Sequence, residues 1–282
     1  MPSLAKHHSN DYIKLLFIGD SKSGKTGALT SLVKAGYKLR VLDWDNGLDV
    51  LKQFVLRDCP SNLDAIEFRS LRDKRKAGPG GPILDGPPKA FVTGLKMMDK
   101  WVYKTDDGEE INYGEPKDWG PDTILVLDSL TFMSDAAYDW AETITVTGKS
   151  GDKDARAVYG NAQDAVEKVL ALLTSESYRT NVIVISHVKY IDNPDGSRKG
   201  YPTAIGQALS PVIPRYFNTV VLCQTNPGGK RTLQTKVTPM IDLANPKPFE
   251  MKDNYPIETG LADIFKVLKG ELKPNLKLAS RR

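Results

Sequence analysis

The chain has 282 residues, 39 Lys and Arg against 35 Asp and Glu for a formal charge of +4, 40% hydrophobic and 26% charged residues, and only two cysteines. That balance describes one large α/β domain or two small ones. It excludes a disulfide framework, and no apolar run approaches the ~18 residues a membrane-spanning helix needs.

Residues 1–11 are a polar leader lacking the apolar centre of a secretory signal, so a reducing cytoplasm is the expected location. Residues 13–18, Ile-Lys-Leu-Leu-Phe-Ile, read as a buried strand, and residues 26–34 as a helix. Between them, Gly19-Asp20-Ser21-Lys22-Ser23-Gly24-Lys25-Thr26 fills every fixed position of the phosphate-binding pattern G-x-x-x-x-G-K-[ST], with Gly27 completing the cradle. Glycines let the backbone wrap around phosphate oxygens, and a helix start offers unpaired N–H groups and a positive dipole end. Lys25 is expected to reach the β- and γ-phosphates, and the Thr26 hydroxyl to ligate Mg²⁺.

Residues 38–43 form the next expected strand, ending in Asp43, with Asp45 and Asp49 just beyond it, then a helix over 47–56 and a short strand over 65–68. Residues 72–88, rich in Gly, Pro and Lys, predict an exposed loop, and 89–104 an amphipathic helix carrying Phe91, Leu95, Met98 and Val102. The whole insert, 72–120, reads as decoration on the core. Residues 123–128 are a near-continuous apolar run ending in Asp128, as buried parallel strands read. Helices are expected over 131–144 and 155–174, a polar stretch over 145–154, a strand over 181–186, a Gly-rich loop over 192–203, a helix from about 205, and strands over 219–224 and 231–237. This alternation predicts an α/β fold, a mostly parallel sheet with helices on both faces and a C-terminal antiparallel edge. It occupies one domain over 12–268, followed by a basic tail over 269–282.

Asp128 at a buried strand tip suits a magnesium-holding role; the alternative is an N-cap for the following helix. Many ATPases place a Glu after this Asp to orient the attacking water. Here the position is Ser129, so a base must come from elsewhere. Asp45, just past the tip of the 38–43 strand, is the candidate, its alternative again being a helix cap, and Asp43 reads as structural. His187, beside the Asp128 strand, is either a sensor of the γ-phosphate or a satisfied structural histidine.

The order of P-loop, acid-tipped strand, Leu-Asp-Ser, polar-tipped strand and Gly-rich loop resembles the RecA-type core, and more closely the small bacteriophage RecA-like ATPases of single-strand annealing and recombination. The resemblance implies a host-cell cytoplasmic protein using ATP and Mg²⁺. It puts Asp45 where the family usually carries a catalytic Glu, and matches Ser186-His187 to the polar sensor. It likens 145–154 and 192–203 to two DNA-binding loops, giving Lys149, Lys153, Arg198 and Lys199 as DNA contacts, with Tyr190 or Tyr201 available to stack on bases. It further places Arg231 and Lys236 where members send cations into a neighbouring subunit's ATP, hence a homo-oligomer, ring or filament, with a single-strand DNA-binding protein as a candidate partner. The insert 72–120 has no counterpart in that pattern.

The reading is therefore a Mg-dependent, DNA-stimulated ATPase acting on single-stranded DNA. Two alternatives stand beside it. One is a P-loop kinase for a small metabolite, with Arg72 and Arg75 of the insert as a lid. The other is a nucleotide-gated binding module with weak hydrolysis. A GTPase is disfavoured, since no Asn-Lys-x-Asp motif appears.

Overall fold

The computed structural model describes residues 12–105, 107–146, 153–192 and 196–271. In chain order the elements are β1 (Lys14–Gly19), α1 (Lys25–Ala28), α2 (Thr30–Lys34), β2 (Lys38–Asp43), α3 (Leu48–Asp58), β3 (Ile66–Ser70), β4 (Arg75–Gly78), β5 (Gly81–Leu84), α4 (Ala90–Asp99), β6 (Val102–Lys104), β7 (Glu110–Asn112), β8 (Gly120–Asp128), α5 (Leu130–Ile144), α6 (Ala155–Thr174), β9 (Thr180–Asp192), β10 (Arg198–Pro202), β11 (Thr219–Thr225), β12 (Arg231–Gln234), β13 (Asn254–Pro256) and α7 (Gly260–Lys269). No helix among the described residues is long and apolar enough to cross a membrane.

One sheet organises the chain, in the order β13-β12-β11-β1-β9-β8-β2-β3, with β10 paired to β9. The strands from β11 to β3 are parallel, and β12 and β13 add the antiparallel edge. This is the α/β sheet expected from the sequence. The continuous apolar runs exist because both faces are covered, so alternate side chains enter different cores. Leu16, Ile18, Leu125, Leu127, Val182 and Val184 pack on one face with α4, α5 and α6. Leu15, Phe17, Ile124, Val126, Ile183 and Ile185 pack on the other, with α1, α2, α3 and α7.

Register brings the chemistry to one end of the sheet. Asp43 pairs with Asp128, and Gly19 pairs with His187 on one side and Cys223 on the other. β9 therefore lies between the P-loop strand and the Asp128 strand, and all these strand tips converge where a parallel sheet presents its ligand crevice.

Five expectations need correction. Residues 72–88 are exposed but not simply a loop: Arg75–Gly78 pairs antiparallel with Gly81–Leu84, the glycines and prolines falling at and beside the tight turn between them. Residues 198–202 are not loop: β9 continues to Asp192 and pairs antiparallel with β10 as two arms of a hairpin. The Gly- and Pro-rich composition hid the pairing, which the β-forming residues Val188, Tyr190, Ile191 and Tyr201 favour. The helix expected from 205 is replaced by turns and a short 3₁₀ segment, Ile213–Tyr216, because Pro211 and Pro214 remove helical N–H donors and clash with the preceding turn. The amphipathic helix stops at Asp99, and Val102–Lys104 pairs with Glu110–Asn112. Nor is the insert decoration: Phe91, Met97, Met98 and Trp101 are at most 3% exposed and complete the core over α5 and α6.

Candidate active site

The P-loop leaves β1 and closes onto α1 through residues forced into special conformations. Gly24 sits at φ 104° as the N-cap of α1, and a Cβ there would meet Ile257 Cδ1 at 2.8 Å. A Cβ on Gly19 would lie 2.4 Å from the Cys223 carbonyl oxygen, so the loop can pass its neighbour strand only as glycine. Lys25 is buried and donates to the carbonyls of Gly19 at 3.0 Å and Asp20 at 2.8 Å. Burial pulls its ammonium below the usual lysine range, opposed by Cys223, Asp128, Asp45 and Asp20.

Thr26 Oγ1 donates to Asp128 Oδ2 at 2.8 Å. The other carboxylate oxygen, Oδ1, is buried with no partner, and the whole residue is 1% exposed. Burial therefore raises the Asp128 carboxyl to about 7, with Asp45 and Asp43 adding to the shift and Thr26 and Lys25 opposing it. Asp128 does not cap α5, whose N-cap is Ser129 with no side-chain bond. The peptide joining Asp128 to Ser129 is cis.

Asp43 and Asp45 divide the roles open to acids beyond β2. Asp43 Oδ1 accepts from the Asn46 N–H at 2.7 Å, which holds the turn in which Asn46 takes φ 61°. Asp45 is tied by its backbone, its N–H reaching the Asp128 carbonyl at 3.2 Å. Its side chain caps nothing, since α3 begins at an uncapped Gly47. It lines the same cavity as Lys25, Thr26, Asp128 and His187.

His187 is half-buried at the point where β9 leaves the sheet. Its N–H donates to Thr131 Oγ1 at 3.2 Å, its Nδ1 lies 3.2 Å from the same oxygen, and Phe132 meets its ring edge-on. Burial and the nearby Lys25 charge lower its pKa. Thr131 in turn donates to the Thr203 carbonyl at 3.3 Å, which also accepts from Ser186 Oγ at 3.1 Å. The histidine at the cavity is thus wired to the root of the β9–β10 hairpin.

These groups surround a cavity of about 710 Å³. The donor set fits a nucleoside triphosphate with magnesium. The glycine cradle leaves room where a Cβ would intrude, Lys25 supplies charge, and the unpartnered Asp128 oxygen beside Thr26 is a hard-oxygen pair of the kind Mg²⁺ takes while keeping its waters. A second cavity, about 290 Å³, shares Gly24, Gly27, Phe54 and Arg231 with the first. It holds Ile257 and Thr30, whose hydroxyl is buried and unpartnered. Phe54 and Thr30 were not legible as site residues: the sequence placed them only within expected helices.

The remaining candidates are dispersed. Arg231 lines both cavities of its own chain and donates to the Lys22 carbonyl at 3.3 Å. Lys236 lies outside both linings and pairs with Asp253 at 3.0 Å. Arg198 is 3.5 Å from Asp192 and stacks over Tyr190, and Lys199 is 2.5 Å from Asp242. Lys153 donates to the Glu142 carbonyl. Lys149 lies outside the described residues.

Fold and loop together define a P-loop nucleotide-binding domain. The chain belongs to the AAA domain family, whose model matches residues 11–245. Among solved structures it is similar to a RadB recombinase, over 88% of this chain and 89% of that one, at 14% identity and a TM-score of 0.44. It is also similar to an ATPase from the type III secretion system of pathogenic bacteria, over 74% of this chain and 51% of that one, at 15% identity and a TM-score of 0.38. No curated protein matches the sequence.

Proposed function

We propose that this protein is a Mg-dependent ATPase of the RecA-like kind that acts on single-stranded DNA, in recombination or annealing of the bacteriophage type, and works as a ring or filament. The observation that carries the ATPase reading is the convergence of Lys25, the Thr26–Asp128 pair, Asp45 and His187 on one cavity. Thr26 and Asp128 would hold the magnesium ion, which screens phosphate charge when bound. Lys25 exchanges its two carbonyl contacts for phosphate oxygens, and the smaller cavity beside Phe54 takes the base. Asp45 orients a water and accepts its proton as that water attacks the γ-phosphorus and the bond to the departing ADP oxygen breaks.

Support for the DNA reading comes from the hairpin. Arg198 over Tyr190 on one face, and Lys199 over Tyr201 on the other, each pair a cation with an aromatic ring, a combination suited to bases and phosphates of a single strand. The Thr131–Thr203 contacts give the nucleotide cavity a route to that hairpin. Arg231 and Lys236 remain candidates for a cation given to a neighbouring subunit. The kinase reading loses much of its lid, because Arg75 is held by Asp139 at 2.5 Å.

Filter binding of labelled single-stranded DNA tests this function. Retention that requires ATP and falls steeply with salt is expected. Absence of any salt-sensitive retention removes the DNA half of the proposal, and a phosphorylated small-molecule acceptor among the products would replace it with the kinase.

A further inference from the structure

The part of the chain with no counterpart in the RecA-type pattern carries a cationic surface of its own. β4 and β5 form a two-stranded ribbon beyond the end of β3, and most residues from 72 to 89 are exposed. A two-stranded hairpin is marginal alone; this one is anchored at its base. Asp73 Oδ1 accepts from the N–H groups of Lys89 at 2.7 Å and Ala90 at 3.1 Å, at the start of α4, and Arg75 grips Asp139 on α5.

Strand alternation sorts the ribbon into two faces. Arg75 and Leu84 are cross-strand partners on the face that meets α5. Lys76 and Ile83 are partners on the opposite face, which Lys74 shares by its spacing. Lys76 is partly neutralised by Asp85 at 3.1 Å, whereas Arg72 and Lys74 have no ion-pair partner among the described residues. The turn, Gly78-Pro79-Gly80-Gly81-Pro82, carries no charge and leaves open space at Gly80 and Gly81.

Placement gives this surface a direction. β3 ends at Ser70 in register with Asp43, and therefore with Asp128, at the sheet end from which the β9–β10 hairpin also rises. Between ribbon and hairpin stands Phe132, 39% exposed, meeting His187 on one side and lining a cleft with Arg72 and Arg75 on the other. Asp135 and Asp139 also line that cleft, so a polyanion has no favourable path through it. Its path lies over the outward face.

We propose that the β4–β5 ribbon is a second contact for the backbone of single-stranded nucleic acid, through Lys74 and Lys76, with Ile83 as an apolar support. This rests on the DNA reading above, and the test separates the two. A labelled oligothymidylate is titrated over a salt series against the parent, the Lys74→Ala/Lys76→Ala variant and the Arg198→Ala/Lys199→Ala variant. The ribbon variant should bind roughly 10-fold more weakly at low salt, with the slope of log affinity against log salt reduced by about 1.4, or ~0.7 per lost contact. Its thermal midpoint should match the parent, since exposed substitutions of this kind barely shift stability. Parent-like affinity and slope in the ribbon variant, with binding lost in the hairpin variant, overturns the inference and leaves the DNA reading standing. Parent-like DNA binding with an altered assembly size also overturns it and assigns the ribbon to contact between copies. A parent that binds no oligothymidylate removes both.

Discussion

Thr26 and Asp128, 102 residues apart in sequence, are joined by a 2.8 Å hydrogen bond that leaves the second Asp128 oxygen buried and unpartnered. The P-loop hydroxyl and the strand-tip carboxylate form one unit, and that unit carries an unpartnered, buried carboxylate oxygen. Its cost follows from the physics of buried acids: low-dielectric surroundings disfavour the charged form.

The first prediction is a pH signature. The Asp128 carboxyl titrates at about 7 when folded against an ordinary 3.8. Between those values the folded state holds a proton that the unfolded chain has lost, so this group's contribution to stability falls as pH rises across that window, and the full penalty applies above 7. Asp128→Asn should flatten the fall and stabilise the magnesium-free protein at pH 8 by on the order of 2–4 kcal/mol. Thermal melts of parent and variant from pH 5 to 8 check this, and the same substitution should abolish magnesium-dependent turnover.

Lys25 and Asp45 should fail differently. Lys25→Ala removes the cation that meets phosphate and should lower both nucleotide binding and turnover, the latter by about 10²-fold or more. Asp45→Asn should cut kcat by roughly 10²–10⁴-fold with nucleotide affinity nearly intact, as loss of a general base does. Steady-state kinetics with a separate nucleotide-binding titration distinguishes the two. Hydrolysis by Asp45→Asn equal to the parent would remove Asp45 from the chemistry and favour a gated binding module.

Thr131→Val tests the route from cavity to hairpin. It deletes the oxygen that contacts both the His187 N–H and Nδ1 and that reaches the Thr203 carbonyl. Stimulation of turnover by DNA should fall several-fold, more than the rate without DNA. An equal reduction in both rates would show that Thr131 only supports the fold.

Gly24→Ala probes the cradle. The residue sits at φ 104°, and the added carbon would lie 2.8 Å from Ile257 Cδ1 and 3.1 Å from Arg231 Cδ. A loss of about 1–3 kcal/mol in urea unfolding is expected, with weaker nucleotide binding.

What the sequence made legible was what short-range rules govern. The P-loop has fixed spacing, and the Asp128 strand announces itself by an unbroken apolar run, so sheet and site centre could be read directly. Asp45 was legible as a candidate from the Ser129 substitution, yet only the uncapped start of α3 showed that its carboxylate is not used as a helix cap. The β9–β10 pairing was hidden because Gly, Pro and Asp dominate the composition of 192–203 and outweigh the β-forming residues beside them. Phe54 and Thr30 had no signal at all, since only folding brings Phe54 to both cavities and Thr30 to the smaller one. The insert misled because Phe91, Leu95, Met98 and Val102 read as a local amphipathic pattern, while the burial of Phe91 and Met98 depends on α5 and α6 far along the chain.

The rate of ATP hydrolysis with and without single-stranded DNA, measured in parallel for the parent and Lys25→Ala, tests the central claim most directly. Magnesium-dependent release of phosphate that rises at least several-fold with DNA and vanishes in the variant is expected. A parent rate that DNA leaves unchanged, or one that survives the loss of Lys25, would contradict it.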